Sequence, residues 1–168
     1  MKLASFEAVT KALNAADVRY LVVGGLAVNA HGYLRFTKDI DLVIRLCRSD
    51  ILGAFVALAG IGYRPSVPIT GEQFADATLR ESWIRDKGMI ILKMWSDRHR
   101  ETPLDIFMRE PFDFDLEYER ALRGQQSGDP VARFVAIPAL IEMKLLAGRP
   151  QDLIDIEKLR QIAILEEK

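Results

Sequence analysis

Three aspartates carry the chemistry this chain could do. Asp39 and Asp41 stand one residue apart in the run Thr37-Lys38-Asp39-Ile40-Asp41-Leu42-Val43. On an extended segment, residues two apart point to the same face, so the two carboxylates would project together. Thirteen residues upstream, the glycine pair Gly24-Gly25 follows the apolar run Leu21-Val22-Val23. A glycine turn at the end of a buried strand can bring backbone groups close to phosphate oxygens. The third acid, Asp105, sits alone between Leu104 and Ile106. An unpaired carboxylate in an apolar strand is costly, so it needs a partner or a use. Hard carboxylate oxygens suit Mg²⁺, which keeps some of its waters and binds substrate phosphates as well. The chemistry that fits is metal-assisted phosphoryl or nucleotidyl transfer, which relies on positioning and charge neutralisation, commonly by two ions.

Each part has a plainer reading when taken alone. Paired aspartates can line a solvated edge or serve salt bridges. A Gly-Gly pair can serve only a turn. The joint pattern favours the site: apolar strand, glycine pair, helix-length gap, Asp-x-Asp on a strand, then a distal strand with a central acid.

The elements that must position these residues can be read from periodicity. Leu3, Phe6, Val9 and Leu13 recur at spacings of three and four and predict a helix over 3–15. Tyr20 to Val23 reads as a short buried strand, the glycine pair punctuates it, and Leu26 to Ala30 opens a helix. Asp39 to Arg45 reads as a strand with Ile40, Leu42 and Ile44 on one face. Ser49 is expected to cap a helix running to Ala59 and ended by Gly60 and Gly62. Residues 64–80 read as irregular, with a helical turn at Glu72 to Ala77. Met89 to Trp95 is strand-like, and Leu104 to Met108 is its expected hairpin partner. A short helix is expected over Leu116 to Leu122, a loop over Gly124 to Pro130, and a last strand over Val131 to Ala136. Two helices follow, Ile137 to Ala147 and Gln151 to Leu165, broken at Gly148-Arg149-Pro150.

The bulk numbers bound the class. The 168 residues suit one domain, here divided into an α/β core over 1–136 and a C-terminal helical pair over 137–168. Apolar residues make up 49% of the chain, enough for a substantial core. The net charge of −1 gives the chain as a whole no electrostatic case for nucleic-acid binding. Cys47 is the single cysteine, so no intrachain disulfide is possible. The amphipathic start lacks a signal-peptide core, and no apolar stretch approaches the roughly 20 residues of a membrane span. A cytoplasmic protein without a membrane partner is the expectation.

With these residues in view, the sequence resembles the polymerase-beta-type nucleotidyltransferase superfamily. The matching pattern is Val23-Gly24-Gly25, the gap, Asp39-Ile40-Asp41, and a later acid at Asp105. The text Gly-Gly-x-Ala-Val…Gly-x-x-Arg-x-Thr-x-Asp-Ile-Asp-Leu-Val is similar to small aminoglycoside and lincosamide nucleotidyltransferases. It is also similar to nucleotidyltransferase toxins of the abortive-infection (AbiEii) type. The resemblance implies an α/β (α+β) fold, a short mixed sheet flanked by helices with the helical pair packed over it. It implies that Gly24 and Gly25 hold the β/γ-phosphates of an NTP, assisted by the following helix N-terminus. It further implies that Asp39, Asp41 and Asp105 bind Mg²⁺, with two ions expected, and that Asp105 acts as base toward an acceptor hydroxyl. The usual serine at the second small position is Gly25 here, which leaves only backbone contacts.

Arg35 could counter phosphate charge or simply belong to a surface loop; Thr37 and Lys38 read as loop. The segment Lys144…Gly148-Arg149-Pro150-Gln151-Asp152…Asp155 is similar to a helical stretch of the toxin-like relatives. That likeness implies Lys144 near the nucleotide, with Asp152 or Asp155 orienting it; a solvated lysine and helix-face aspartates are the alternative. His31 reads as a helix-end residue, Cys47 as a core or surface thiol, Trp83 and Trp95 as core residues with stacking on a nucleobase the alternative, and Arg98-His99-Arg100 as a solvated charged turn, with help to an anionic acceptor the alternative.

The expected reaction moves a nucleoside monophosphate from an NTP, ATP among the candidates, to an acceptor hydroxyl and releases pyrophosphate. The acceptor could be a small molecule, or tRNA or protein as in a toxin–antitoxin system. A non-catalytic nucleotide-binding or interaction module of the same fold is the other class of function.

Overall fold

Strand β1 (Tyr20–Val23) is buried along its whole length, so in the computed structural model it lies inside the sheet with packing on both faces. The structure describes the backbone of all residues except 127–128 and the side chains of 1–124 and 132–168. Its neighbours are β2 (Ile40–Ile44), antiparallel, and β7 (Asp129–Phe134), parallel. With β3 (Tyr63–Pro65), β4 (Ile91–Ser96), β5 (Leu104–Phe107) and β6 (Leu122–Gln126), they form one seven-stranded mixed sheet in the order β3-β4-β5-β2-β1-β7-β6. Strand β5 pairs parallel with β2 and antiparallel with β4, as the hairpin expected after residue 95 requires.

The helices supply the other half of the core. Helix α1 (Leu3–Ala15) buries Phe6, Val9 and Leu13, the stripe its spacing predicts. Helix α2 (Gly24–Ala30) starts at once after β1. Helix α3 (Arg48–Gly60) packs against α1 and β2. Helices α7 (Ile137–Ala147) and α8 (Pro150–Glu166) pack against each other, with α7 also touching α2. No helix among the described residues is long and apolar enough to cross a membrane. The mixed sheet flanked by helices is the expected fold class.

Several local expectations are corrected. The stretch 64–80 is more ordered than its prolines suggest. It holds β3, α4 (Gly71–Ala75) and the start of α5 (Ala77–Lys87). Helix α5 is capped by Asp76, whose carboxylate accepts from the Thr78 and Leu79 N–H groups. Its one fully buried side chain is Arg80, and Trp83 and Ile84 pack half-buried on the core, so its apolar stripe is short. Helix α3 begins at Arg48 rather than after Ser49, and no side chain caps it. Helix α6 covers Phe114–Arg120, two residues earlier than expected, behind an Asp113 cap that accepts from Leu116 N–H. The loop expected over Gly124–Pro130 is largely strand: β6 and β7 pair through Leu122↔Phe134, Arg123↔Arg133 and Gly124↔Ala132. Only 127–128, at the centre of that segment, lie outside the described residues.

Candidate active site

The sheet register places the acidic residues. Asp41 of β2 and Asp105 of β5 are direct partners across a parallel pair, so their side chains emerge on one face about 4.8 Å apart at the backbone. Asp41 is in turn opposite Val23 at the end of β1, and Asp105 is opposite Lys93 of β4. Lys93, Asp105, Asp41 and Val23 thus form one row across four adjacent strands. Asp39 lies one residue before β2.

The glycine pair fits against that row. Gly24 and Gly25 form the first turn of α2 rather than a separate turn before it. Gly24 has φ +65, and a Cβ there would fall 2.1 Å from Asp41 Oδ2. A side chain is excluded twice, by left-handed backbone and by the carboxylate. At Gly25 a Cβ would fall 2.6 Å from Thr37 Oγ1 and 3.2 Å from Arg35 Nη1. The glycines therefore let β1–α2 backbone, Asp41, Thr37 and Arg35 converge.

The electrostatics are asymmetric. Among the described residues, the Asp39 and Asp41 carboxylates have no hydrogen-bond or ion-pair partner, while Asp105 Oδ1 accepts from Lys93 Nζ at 2.7 Å. The Asp41 carboxyl is pushed up to about 7, first by burial and then by the negative charges of Asp105 and Asp39, against the pull of Arg149 and Lys144. Lys93 is held above its ordinary range, chiefly by the hydrogen bond to Asp105, with Asp39 and Asp41 adding to it. Among the described residues no three His, Cys, Asp or Glu side chains close on a single point as a finished cation cage. Asp41 and Asp105 instead offer an open pair of hard-oxygen donors. That suits Mg²⁺, which is commonly held by one or two carboxylates plus substrate phosphates. A carboxyl that holds its proton because it is buried and faces negative neighbours is a group that a cation would relieve.

A basic cluster stands beside the acids. Lys144 of α7 is almost wholly buried and donates to Asp152 Oδ1 at 3.1 Å and Asp155 Oδ2 at 2.7 Å. Arg35 makes a two-pronged bond to Asp155, Nε to Oδ1 at 2.9 Å and Nη2 to Oδ2 at 2.8 Å. Asn29 fixes the Arg35 backbone through two 3.0 Å bonds. Arg149 donates from Nε to Asp152 Oδ2 at 2.8 Å. Three cations thus face two carboxylates, which leaves one positive charge in excess. Both aspartates are held below the usual carboxylate range: hydrogen bonds to Arg149 and Lys144 at Asp152, and to Arg35, Lys144 and Gln151 at Asp155, outweigh the opposing effect of burial.

The expected site residues therefore fall into two groups, Gly24, Gly25, Asp39, Asp41 and Asp105 around the row, and Arg35 and Lys144 in the adjoining ionic cluster. Sequence reasoning missed Lys93 and Arg149. Alternation along β4 puts Lys93 on the exposed face between buried Leu92 and Met94, but only register shows which acid it meets. Arg149 lay in a motif already singled out, without a role. Trp95, expected in the core, is 43% exposed on the same face of β4 as Lys93, with the Arg64 guanidinium 4.9 Å from its ring centroid. Trp83 is half-buried against the core. His31 ends α2, its Nε2 2.8 Å from the Val135 carbonyl oxygen. His99 is tethered to Ser5 Oγ at 3.0 Å and stacked on Tyr63, so the charged turn is anchored. The Cys47 thiol donates to Asp50.

Comparison with solved structures places the fold. The chain is similar to the lincosamide antibiotic adenylyltransferase LnuA in its lincomycin-bound crystal structure, with a TM-score of 0.57 and 15% identity over 96% of this chain and 98% of that one. It is similar to the solution structure of the antibiotic-resistance factor ANT(2'')-Ia, with a TM-score of 0.57 and 14% identity over 95% and 80% of the two chains. It is also similar to ANT(2'')-Ia in complex with adenylyl-2''-tobramycin, with a TM-score of 0.56 and 12% identity over 96% and 92%. No protein-family model and no curated protein matches the chain. The chain has the nucleotidyltransferase-like fold of these enzymes.

Proposed function

We propose that this chain is a metal-dependent nucleotidyltransferase that moves a nucleoside monophosphate from an NTP to the hydroxyl of a small-molecule acceptor and releases pyrophosphate. The observation that carries the reading is the strand row itself: Asp41 and Asp105 in register, with Asp41 packed against the backbone of Gly24. The fold shared with antibiotic adenylyltransferases supports nucleotidyl transfer, and their acceptors favour a small molecule over tRNA or protein.

Asp41 and Asp105 would hold Mg²⁺, with Asp39 at the mouth of the row. When bound, the ion neutralises charge on the triphosphate and on the phosphoryl group in transit. Gly24 and Gly25 let the triphosphate approach the backbone at the start of α2. The excess positive charge of the Arg35–Lys144–Arg149 cluster favours an anion beside Asp41. Lys144 and Arg35 act there from fixed positions, because Asp152 and Asp155 hold them. The acceptor oxygen forms a bond to the α-phosphorus as the bond from that phosphorus to the bridging oxygen breaks, and pyrophosphate leaves with the electron pair. Asp105 takes the acceptor proton on a carboxylate oxygen. Residues 1–136 supply the acids, the glycines and Arg35, and 137–168 supply Lys144 and Arg149, so the two parts work as one domain.

The test is transfer from each of the four NTPs to lincosamide, aminoglycoside and tRNA acceptors in the presence of Mg²⁺. Wild type should label a small molecule, and the double variant Asp39→Ala/Asp41→Ala should lose at least about a hundredfold, the scale of a lost electrostatic group in such chemistry. Equal transfer by wild type and double variant contradicts the reading.

A further inference from the structure

Lys93 is absent from the chemistry just described, yet it makes the single ion pair found on any of the three acids among the described residues. Its ammonium sits 2.7 Å from Asp105 Oδ1, and the two residues are direct cross-strand partners of β4 and β5. The Asp105 side chain is only 10% exposed, whereas that of Lys93 is 49% exposed. The carboxylate is therefore fixed in the sheet, and the lysine can swing away. An ammonium is a point charge on a flexible four-carbon stem, and a half-exposed pair of this kind is weakly held. Two cations on one carboxylate repel each other strongly at such distances. A divalent ion arriving at Asp105 must displace the ammonium or tolerate it.

We propose that Lys93 is a built-in counter-ion of Asp105: it occupies the place of a cation in the nucleotide-free protein and yields it to a divalent ion that enters together with the triphosphate. This inference rests on the proposed metal seat at Asp41 and Asp105. The negative charge of the triphosphate offers the displaced ammonium a new partner on the same face, so nucleotide and metal favour each other's entry. Lys93 is thus a positioning residue that acts through Asp105.

The test is a Mn²⁺ titration of the full chain, with free Mn²⁺ followed by electron paramagnetic resonance, for wild type, Lys93→Met, Lys93→Arg and Asp41→Asn. Without nucleotide, Lys93→Met should bind Mn²⁺ about five- to tenfold more tightly than wild type, and Lys93→Arg should stay close to wild type. A non-hydrolysable triphosphate analogue should narrow the gap between Lys93→Met and wild type. Unchanged or weaker Mn²⁺ binding in Lys93→Met overturns the inference, and a purely structural role for Lys93 would give that result. Should Lys93→Met not fold, as judged by its melting curve, Lys93→Gln carries the same comparison. The outcomes separate the two claims. If Asp41→Asn removes Mn²⁺ binding but Lys93→Met matches wild type, only the counter-ion role falls. If Asp41→Asn leaves Mn²⁺ binding intact, the metal seat and the function proposed from it fall too.

Discussion

Asp41 is where burial, charge and backbone meet most closely. In the folded chain its carboxyl keeps a proton up to about pH 7, against an ordinary 3.8. Unfolding therefore releases a proton throughout that window, and the folded state binds more protons than the unfolded one. The contribution of Asp41 to stability is complete below its unfolded value and is lost as the pH rises through about 7. Denaturant unfolding of the metal-free protein between pH 4 and 8 should show this as a difference from Asp41→Asn. The variant should gain relative to wild type as the pH rises. A parallel pair of stability curves would show that Asp41 is not held protonated. Gly24 gives a second prediction at this scale. Gly24→Ala must place a methyl group against Asp41 Oδ2 from left-handed backbone. The backbone alone costs about 1–2 kcal/mol, so the denaturation midpoint should fall by at least that equivalent, and Mg-dependent nucleotide binding should fall with it.

The pairing of elements explains what the residues cannot do alone. Helices α7 and α8 meet through Lys144, Asp152 and Asp155, and Arg35 ties that pair to the loop leading into β2. Removing one member leaves buried charge uncompensated, a change that typically costs about 3–5 kcal/mol. Asp155→Ala should therefore lower the unfolding free energy by roughly that amount. It leaves Lys144 with Asp152 alone and releases Arg35, whereas Arg149→Ala, on an exposed side chain, should cost far less. Equal and small losses in both variants would show that the cluster is solvated rather than buried. The same scale decides what could be read beforehand. Strands β1 and β2, helices α1, α7 and α8, and the acids they carry are visible in the sequence because buried stripes, glycine breaks and alternation each leave a periodic trace. Helix α5 leaves only a short one, since its one fully buried side chain is an arginine and only Trp83 and Ile84 pack half-buried beside it. The segment 124–130 reads as a loop because glycine and proline mark turns, yet here Gly124 gives room to the Phe134 ring across the hairpin, 2.7 Å from where a Cβ would sit. The partnership of Asp105 with both Asp41 and Lys93 depends on strand order and register, which are non-local. The lone acid at 105 could be suspected from its apolar neighbours, but the lysine opposite it could not.

Across the whole molecule, the arrangement separates negative from positive. The row from β4 to β1 gathers the carboxylates at one level of the sheet, and the C-terminal helices bring the excess cationic charge next to Asp41. A metal–triphosphate complex, cationic at one part and anionic at another, matches such a division. The most direct measurement uses an NTP labelled separately at its α- and γ-phosphates, with Mg²⁺ and a panel of hydroxyl-bearing acceptors. The account predicts that the α-label appears on a small-molecule acceptor and the γ-label in pyrophosphate, and that Asp41→Asn abolishes both. Transfer of the γ-label to the acceptor, or label movement unaffected by Asp41→Asn, would contradict it.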